Sequence, residues 1–147
     1  MKYNSFRTHF IILIIFGCFA SLTGCVTNSN QSPKFQQYYV QGELLYLQHC
    51  SNCHQKNGTG LGLLYPPINT SDYMDNHLNE TICLIKNGAT GEMVVNEKKF
   101  NHEMPGLPLL TELEVAEITT YIYNSWGRQH GLVDVNEVTK TLLQCKN

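Results

Sequence analysis

Two cysteines and a histidine lie within five consecutive residues, Cys50-Ser51-Asn52-Cys53-His54. Three chemistries use closely spaced thiols of this kind: a structural zinc site, a redox-active dithiol, and the covalent attachment of a haem. Each of them requires a different kind of chain around the motif. The motif therefore limits the possible folds more than any other segment, and the rest of the sequence has to decide among the three.

The context of the motif disfavours zinc and the dithiol. A zinc site needs two further ligands at short spacing, and a thioredoxin-like dithiol belongs beside a βαβ unit, for which the strand signals are weak. The other candidate ligands are scattered singly: His77, Cys83, His102 and His130. Two thiols three positions apart face the same side of a helical turn, where each can bond one vinyl group of a porphyrin. The spacing favours a haem held by Cys50 and Cys53, with the imidazole of His54 on its iron.

The first residues indicate export. Lys2 and Arg7 precede an apolar run over residues 10–20, which is too short to form a stable spanning helix and is typical of a signal peptide. Leu22-Thr23-Gly24-Cys25 resembles the bacterial lipobox. This resemblance implies that residues 1–24 are removed and that Cys25 is lipidated as the first mature residue. An ordinary signal peptide and an uncleaved anchor are the alternatives, and each of them also exports the domain.

The segment after Cys25 is polar and predicts a flexible tether over residues 25–37, followed by a single small domain over residues 38–147. Removal of residues 1–24 leaves eight basic and twelve acidic residues, a net charge of −4. A nucleic-acid partner would require a basic face that neutralises phosphates. The charge therefore argues against nucleic-acid binding.

Hydrophobic periodicity predicts an all-α fold with long loops. Val40, Leu44 and Leu47 have the spacing i, i+4, i+7, which indicates an amphipathic helix over residues 38–50. Thr111 and Glu114 form a capping-box signature at the start of the clearest helix, which we expect to end at Gly127. Two shorter helices are predicted over residues 80–86 and 135–145. Gly- and Pro-rich loops are predicted over residues 58–67 and 89–108.

Short helices joined by long loops bury little apolar surface, so such a chain usually depends on a disulfide, a metal or a bulky cofactor. This is a reason to expect a cofactor that does not depend on the motif. Cys83 and Cys145 both lie on predicted helices in an oxidising compartment. A disulfide between them and two buried thiols are both compatible with the sequence.

From about Val40 to its C-terminus, the chain resembles a monohaem cytochrome c of the bacterial class I type. The resemblance rests on several segments that occur in the family's order: "GELLYLQHCSNCH", "GTGLGLLYPPI", "IKNGATGEM", "HEMPGLPLLTELEVAEITTYIYNSWG" and "VDVNEV". It implies an all-α cytochrome c-like domain, in which three core helices and a short C-terminal helix pack around one covalent haem c.

The same resemblance implies an axial ligand pair. His54 would be the proximal ligand and Met104, in "EMPG", the distal one, while Met93 is the alternative. A thioether is a soft ligand that suits haem iron and raises its reduction potential.

The resemblance also implies three supporting contacts. The carbonyl of Pro66 or Pro67 would accept a hydrogen bond from the proximal imidazole. Gly42 would allow the first and third helices to cross closely, near residues 121–123. Trp126 would pack at the haem edge or serve as an ordinary core aromatic.

The implied function is transfer of single electrons between membrane respiratory components, with a terminal oxidase, reductase or dehydrogenase as partner and no catalysis by the chain itself. The lipid on Cys25 would hold the domain at a membrane, on the periplasmic or other extracytoplasmic side. Two alternatives remain open. One is a haem-based sensor of gas or peroxide with a labile Met104. The other is a fixed electron-entry subunit of a larger oxidase or reductase.

Overall fold

The computed structural model describes residues 31–145, and the predicted signal peptide and Cys25 lie outside them. The described part contains six helices, α1 Pro33–His49, α2 Ser51–His54, α3 Asp72–Asn76, α4 Leu78–Asn87, α5 Glu112–Ile122 and α6 Val135–Leu142. It also contains four short strands, β1 Gly88–Ala89, β2 Met93–Val95, β3 Lys98–Phe100 and β4 Met104–Pro105. The domain is therefore mostly helical with little sheet, as predicted. Within residues 31–145, no helix combines the length and apolar character needed to cross a membrane.

Helix α1 begins at Pro33, earlier than the predicted residue 38. The Ser32 side chain accepts a hydrogen bond from the Phe35 amide at 3.2 Å and caps the helix, while proline occupies the first helical position, where no amide donor is required. Phe35 is only 6% exposed. Residues 33–37 of the expected tether are thus helical and contribute to the folded core.

The predicted apolar face of α1 is wrong. Val40, Leu44 and Leu47 are 54%, 56% and 37% exposed. The buried residues of the helix are instead Phe35, Tyr38, Gly42, Leu45 and Tyr46. Aromatic side chains bury more surface than Val or Leu, so the helix turns its aromatic residues inward and leaves the aliphatic stripe in solvent.

Helices α1 and α5 cross at Gly42, which confirms the expected role of this glycine; the contact on α5 includes the expected Tyr121 and extends one turn earlier to Glu117. A Cβ atom on residue 42 would lie 2.0 Å from the Glu117 carbonyl oxygen. Only glycine permits this approach of the two backbones. The rings of Tyr46 and Tyr121, 5.4 Å apart, pack in the core formed by the crossing.

The capping box of α5 is confirmed. Thr111 Oγ1 accepts from the Glu114 amide at 3.3 Å, and Glu114 Oε2 accepts from the Thr111 amide at 2.8 Å. The helix ends at Ile122 rather than at the predicted Gly127. Helix α6 follows after a loop, and the disulfide Cys83–Cys145 joins the segment after it to α4, with a Cα–Cα distance of 5.7 Å. The structure thus selects the disulfide from the two states that the sequence left open.

The predicted irregular segment 89–108 contains two short antiparallel ladders. Strands β2 and β3 form a hairpin, in which Asn96 and Glu97 occupy the turn with φ of 51° and 62°. Asn96 and Asp72 exchange two hydrogen bonds, of 3.0 and 2.7 Å, which fix the turn to the start of α3. Strand β4 pairs with β1, so that Met104 lies opposite Ala89.

Candidate functional site

An open apolar cleft lies in the middle of the domain. Cys50, Cys53, His54, Met93 and Met104 all contribute to its wall. Most of the remaining wall comes from apolar side chains of α4, α5, the β2–β3 hairpin and the loop after α2. The structure therefore brings together the predicted site residues of the described chain, including both candidate thioether ligands.

The two thiols reach the cleft because the chain makes a single helical turn there. The His54 amide donates to the Cys50 carbonyl at 2.9 Å, and the Cys53 amide donates to the same oxygen at 3.2 Å. Burial, with a smaller contribution from the neighbouring Cys53, raises the pKa of the Cys50 thiol to about 12. Cys50 is therefore a protonated thiol at neutral pH in the polypeptide.

The His54 imidazole is oriented by the backbone of the loop that follows it. Its Nδ1 lies 3.0 Å from the Pro66 carbonyl oxygen, and a carbonyl can only accept, so Nδ1 donates and Nε2 keeps its lone pair. Burial lowers the pKa of His54, and the bond to Pro66 acts in the opposite direction. The result is a neutral imidazole, the form that binds metals. Between the two expected acceptors, the structure selects Pro66.

Sequence reasoning missed Tyr46, a buried residue of the cleft wall one helical turn before Cys50. The Tyr46 hydroxyl donates to the Gln55 carbonyl at 2.5 Å, directly after the motif, where Gln55 has a φ of 64°. Tyr46 also contacts Trp126, with ring centroids 5.5 Å apart. Trp126 packs against Tyr46 and Tyr121 and is not part of the cleft wall, which favours its interpretation as a core aromatic.

Met104 reaches the cleft on a segment that is attached to the end of α4. The Leu107 amide donates to the Ile85 carbonyl at 3.1 Å. The Lys86 ammonium donates to the carbonyl of Pro108 at 3.0 Å and to that of Leu110. Strand β4, which contains Met104, also pairs with β1. The backbone of Met104 is therefore held by this pairing and by the hydrogen bonds of the residues that follow it.

Tyr65 and His102 form a second feature that the sequence did not indicate. The Tyr65 hydroxyl lies 3.3 Å from His102 Nε2, and the two rings meet edge to face at 5.0 Å. Both residues belong to the cleft wall. They link the loop after the cysteine motif to the segment before Met104. A separation of 37 residues left no local signal for this contact.

The donors in the cleft suit a covalently attached haem. The mostly apolar wall of the cleft suits a flat hydrophobic body, two thiols are available for thioether bonds, and a neutral imidazole and a thioether are both iron ligands. Cys50 and Cys53 would hold the haem by covalent bonds. His54 would bind its iron, and a methionine of the same cleft would provide the second ligand.

Comparison with known proteins agrees with this chemistry. Residues 39–126 match the cytochrome c family. Two curated relatives, both cytochrome c-552 of Thermus thermophilus, are 28% identical over 92 residues, which is 60% of this chain. The match covers 70% of the first relative and 62% of the second. The cleft and the family match together place the chain in the cytochrome c family, whose domains carry haem c covalently.

Proposed function

We propose that the protein is a lipid-anchored one-electron carrier, in which Cys50 and Cys53 hold the haem and His54 and Met104 are its axial ligands. The observation that carries the proposal is the convergence of these four side chains on one apolar cleft. Cytochromes c are haem-based electron carriers, typically extracytoplasmic and without enzymatic activity. The family membership does not include the His54–Met104 ligand pair, the lipid anchor or the redox partner, and these are what we propose for this chain.

The bound haem supplies an iron that alternates between Fe(III) and Fe(II). The chain's contribution is to keep the ligands in place. His54 is held by Pro66, and the Met104 segment is held by Lys86, Leu107 and the β1–β4 pair. Ligands that are held in this way move little when the charge changes, which favours fast electron transfer. If His54 and Met104 both bind the iron, it would have no free coordination position for a substrate.

The partner would dock at the loop next to the cleft. Leu61, Leu63 and Leu64 are 51%, 68% and 45% exposed there. The loop is ordered by hydrogen bonds from the Gly60 amide to the His54 carbonyl and from the Leu61 amide to the Tyr65 carbonyl, each 3.0 Å. An exposed apolar patch commonly marks a protein interface. Because the patch adjoins cleft residues, a terminal oxidase, reductase or dehydrogenase seated on it would come close to the haem.

The anchor is proposed from Cys25, which lies eight residues before Pro33. The diacylglyceryl group on its sulfur would keep the domain at the outer side of the cytoplasmic membrane or in the outer membrane. A chain that has lost the modification site, Cys25→Ser, should leave the membrane fraction or fail to be processed. A wild-type protein that is wholly soluble would contradict the anchor.

The electron-carrier role is tested on the full chain, purified from membranes. The denatured protein should keep its colour in acidified acetone and have the mass of one haem in addition to the polypeptide. A redox titration should give a one-electron curve, the ferric form should show a weak sulfur-to-iron band in the far red, and the ferrous form should not bind CO. Ready CO binding with peroxide turnover would favour the sensor instead. A stoichiometric complex in mild detergent would favour a fixed electron-entry subunit.

A further inference from the structure

Helix α1 carries an aliphatic stripe that the domain does not cover. Val40, Leu44 and Leu47 are about half exposed, whereas Leu45 and Tyr46 between them are buried. At 3.6 residues per turn, the stripe lies roughly 180° around the helix from the centre of the buried positions. Three aliphatic side chains on one helix face in water are unfavourable. Their regular spacing suggests that one surface outside the domain covers all three side chains.

The rest of this helix face is polar but nearly uncharged. Gln37, Gln41 and Gln48 are exposed beside the stripe, and Glu43 is the one charged residue between positions 36 and 48. The mature chain has a net charge of −4, so anionic lipid headgroups repel the chain as a whole. The stripe and its glutamines form the face of α1 that can approach such a surface with the least repulsion.

The stripe is badly placed for a redox partner. Tyr46, on the opposite side of α1, forms part of the cleft wall. A partner seated on the stripe would be separated from the haem by the full thickness of the helix, whereas the leucines of the 61–64 loop adjoin the cleft directly. The stripe is well placed for a membrane, because Cys25 lies eight residues before Pro33, at most about 29 Å along an extended chain.

We propose that Val40, Leu44 and Leu47 rest on the lipid surface of the membrane to which Cys25 anchors the chain. This inference depends on the proposed anchor. It also gives the domain an orientation, in which α1 lies against the bilayer and the Tyr46 side, with the cleft, faces away from it. The partner then approaches the haem from the aqueous side.

The test is photo-crosslinking of the lipidated, haem-loaded protein. Benzoylphenylalanine replaces Leu44 in one variant and Val40 in a second, and Leu143 in a control variant. All three sites are more than half exposed, at 56%, 54% and 84%, so the larger side chain fits. Each protein is placed in vesicles of phosphatidylethanolamine and phosphatidylglycerol at a 3:1 ratio, irradiated, and analysed by intact mass.

We expect a phospholipid adduct at positions 44 and 40 at least tenfold above that at position 143. Equal labelling at the three positions overturns the inference, and so does a crosslinked dimer or an adduct to another protein at position 44. The same mass spectrum shows whether the protein carries the haem and the acyl groups on Cys25. A protein that has both but no lipid adduct at positions 40 and 44 overturns the orientation alone, while missing acyl groups overturn the anchor and this inference with it.

Discussion

The Nδ1 atom of His54 lies 3.0 Å from the carbonyl oxygen of Pro66, across 12 residues of chain. The position of this carbonyl depends on Gly60. A Cβ atom on residue 60 would lie 2.2 Å from the Tyr65 carbonyl oxygen and 2.6 Å from that of Pro66, and the φ of Gly60 is +67°. A glycine that ligates nothing therefore determines the hydrogen bond of the proposed proximal ligand.

Gly60→Ala should push the Pro66 carbonyl away from His54. An imidazole that donates to a carbonyl is a better electron donor and stabilises Fe(III), so loss of the bond should raise the reduction potential. If the hydrogen bond is about 1 kcal/mol stronger with Fe(III) than with Fe(II), its loss raises the potential by about 40 mV for one electron. Gly62→Ala is the matched control, because Gly62 has a φ of +59° and no atom within 4 Å of a Cβ. A redox titration that shows equal shifts in both variants would assign the effect to backbone strain.

The local signals were sufficient to predict much of this site. The Cys50–His54 spacing and the Thr111–Glu114 capping box each act within a few residues, and the structure has both. The close crossing at Gly42 and the two candidate prolines for the bond of His54 were implied by the family resemblance and not by a local signal. The acceptor of the hydrogen bond from His54 could be narrowed to the carbonyls of two prolines but not to one of them. The choice depends on how residues 58–67 fold over the imidazole, and this is decided by contacts such as those of Gly60.

What could not be predicted depends on competition between distant contacts. Val40, Leu44 and Leu47 have helical spacing, but Tyr38, Leu45 and Tyr46 have it as well. Only the crossing with α5 shows which face is buried. Strands β2 and β3 have three residues each, too few for a period-two pattern. Their attachment to α3 depends on the contact of Asn96 with Asp72, 24 residues away.

The disulfide should contribute strongly to stability and little to the haem site. Cys83 lies on α4, and residues of the same helix contribute to the cleft wall, whereas Cys83 does not. Since the two cysteines are 62 positions apart in the sequence, replacement of both by serine should lower the free energy of unfolding by about 4 kcal/mol in the chain-entropy treatment. Denaturant unfolding measures this change, and the visible spectrum should be unchanged. Reduction of the wild-type protein should reproduce the loss. An unaffected unfolding midpoint would contradict the bond.

Replacement of two glutamates on α5 by glutamine should change the thermal stability at pH 7 in opposite directions. Glu117 is 4% exposed, and its burial, with the nearby Glu114, raises its pKa above 4.5. Its favourable contribution is therefore complete below pH 4.5 and is lost as the pH rises through the folded-state pKa. Glu117→Gln should raise Tm at pH 7 by a few degrees and have little effect at pH 4.

Glu114 is the control for this experiment. Hydrogen bonds from Thr111 lower the pKa of Glu114, so its contribution is present above pH 4.5 and is lost as the pH falls through the folded-state pKa. Glu114→Gln should lower Tm at pH 7 and have a smaller effect in acid. Thermal unfolding across pH 3–8 measures both variants. Shifts of the same sign at pH 7 would show that the carboxylate charge is not the cause.

The exposed leucine loop should control the rate of electron exchange with a protein partner. Leu63 is 68% exposed, so Leu63→Glu should leave the fold and the potential almost unchanged. A charge that is desolvated in the docked complex should slow the second-order rate about tenfold, which corresponds to about 1.4 kcal/mol. Leu143→Glu adds the same charge outside the loop and should not slow the reaction. Stopped-flow kinetics with membranes as electron acceptor gives both rates, and equal rates would exclude the loop as the docking site.

Met104 and Met93 are both candidates for the second iron ligand, because both belong to the cleft wall. The Met104 backbone is held against α4 through Leu107 and Lys86, while Met93 lies on the β2–β3 hairpin. Met104→Ala should therefore abolish the far-red sulfur band, lower the potential on the order of 100 mV and open the ferrous iron to CO. The haem should stay attached, since Cys50 and Cys53 are intact. Met93→Ala should keep the band and the potential. If the band survives in Met104→Ala and disappears in Met93→Ala, Met93 of the β2–β3 hairpin provides the ligand, and Met104 has only a packing role.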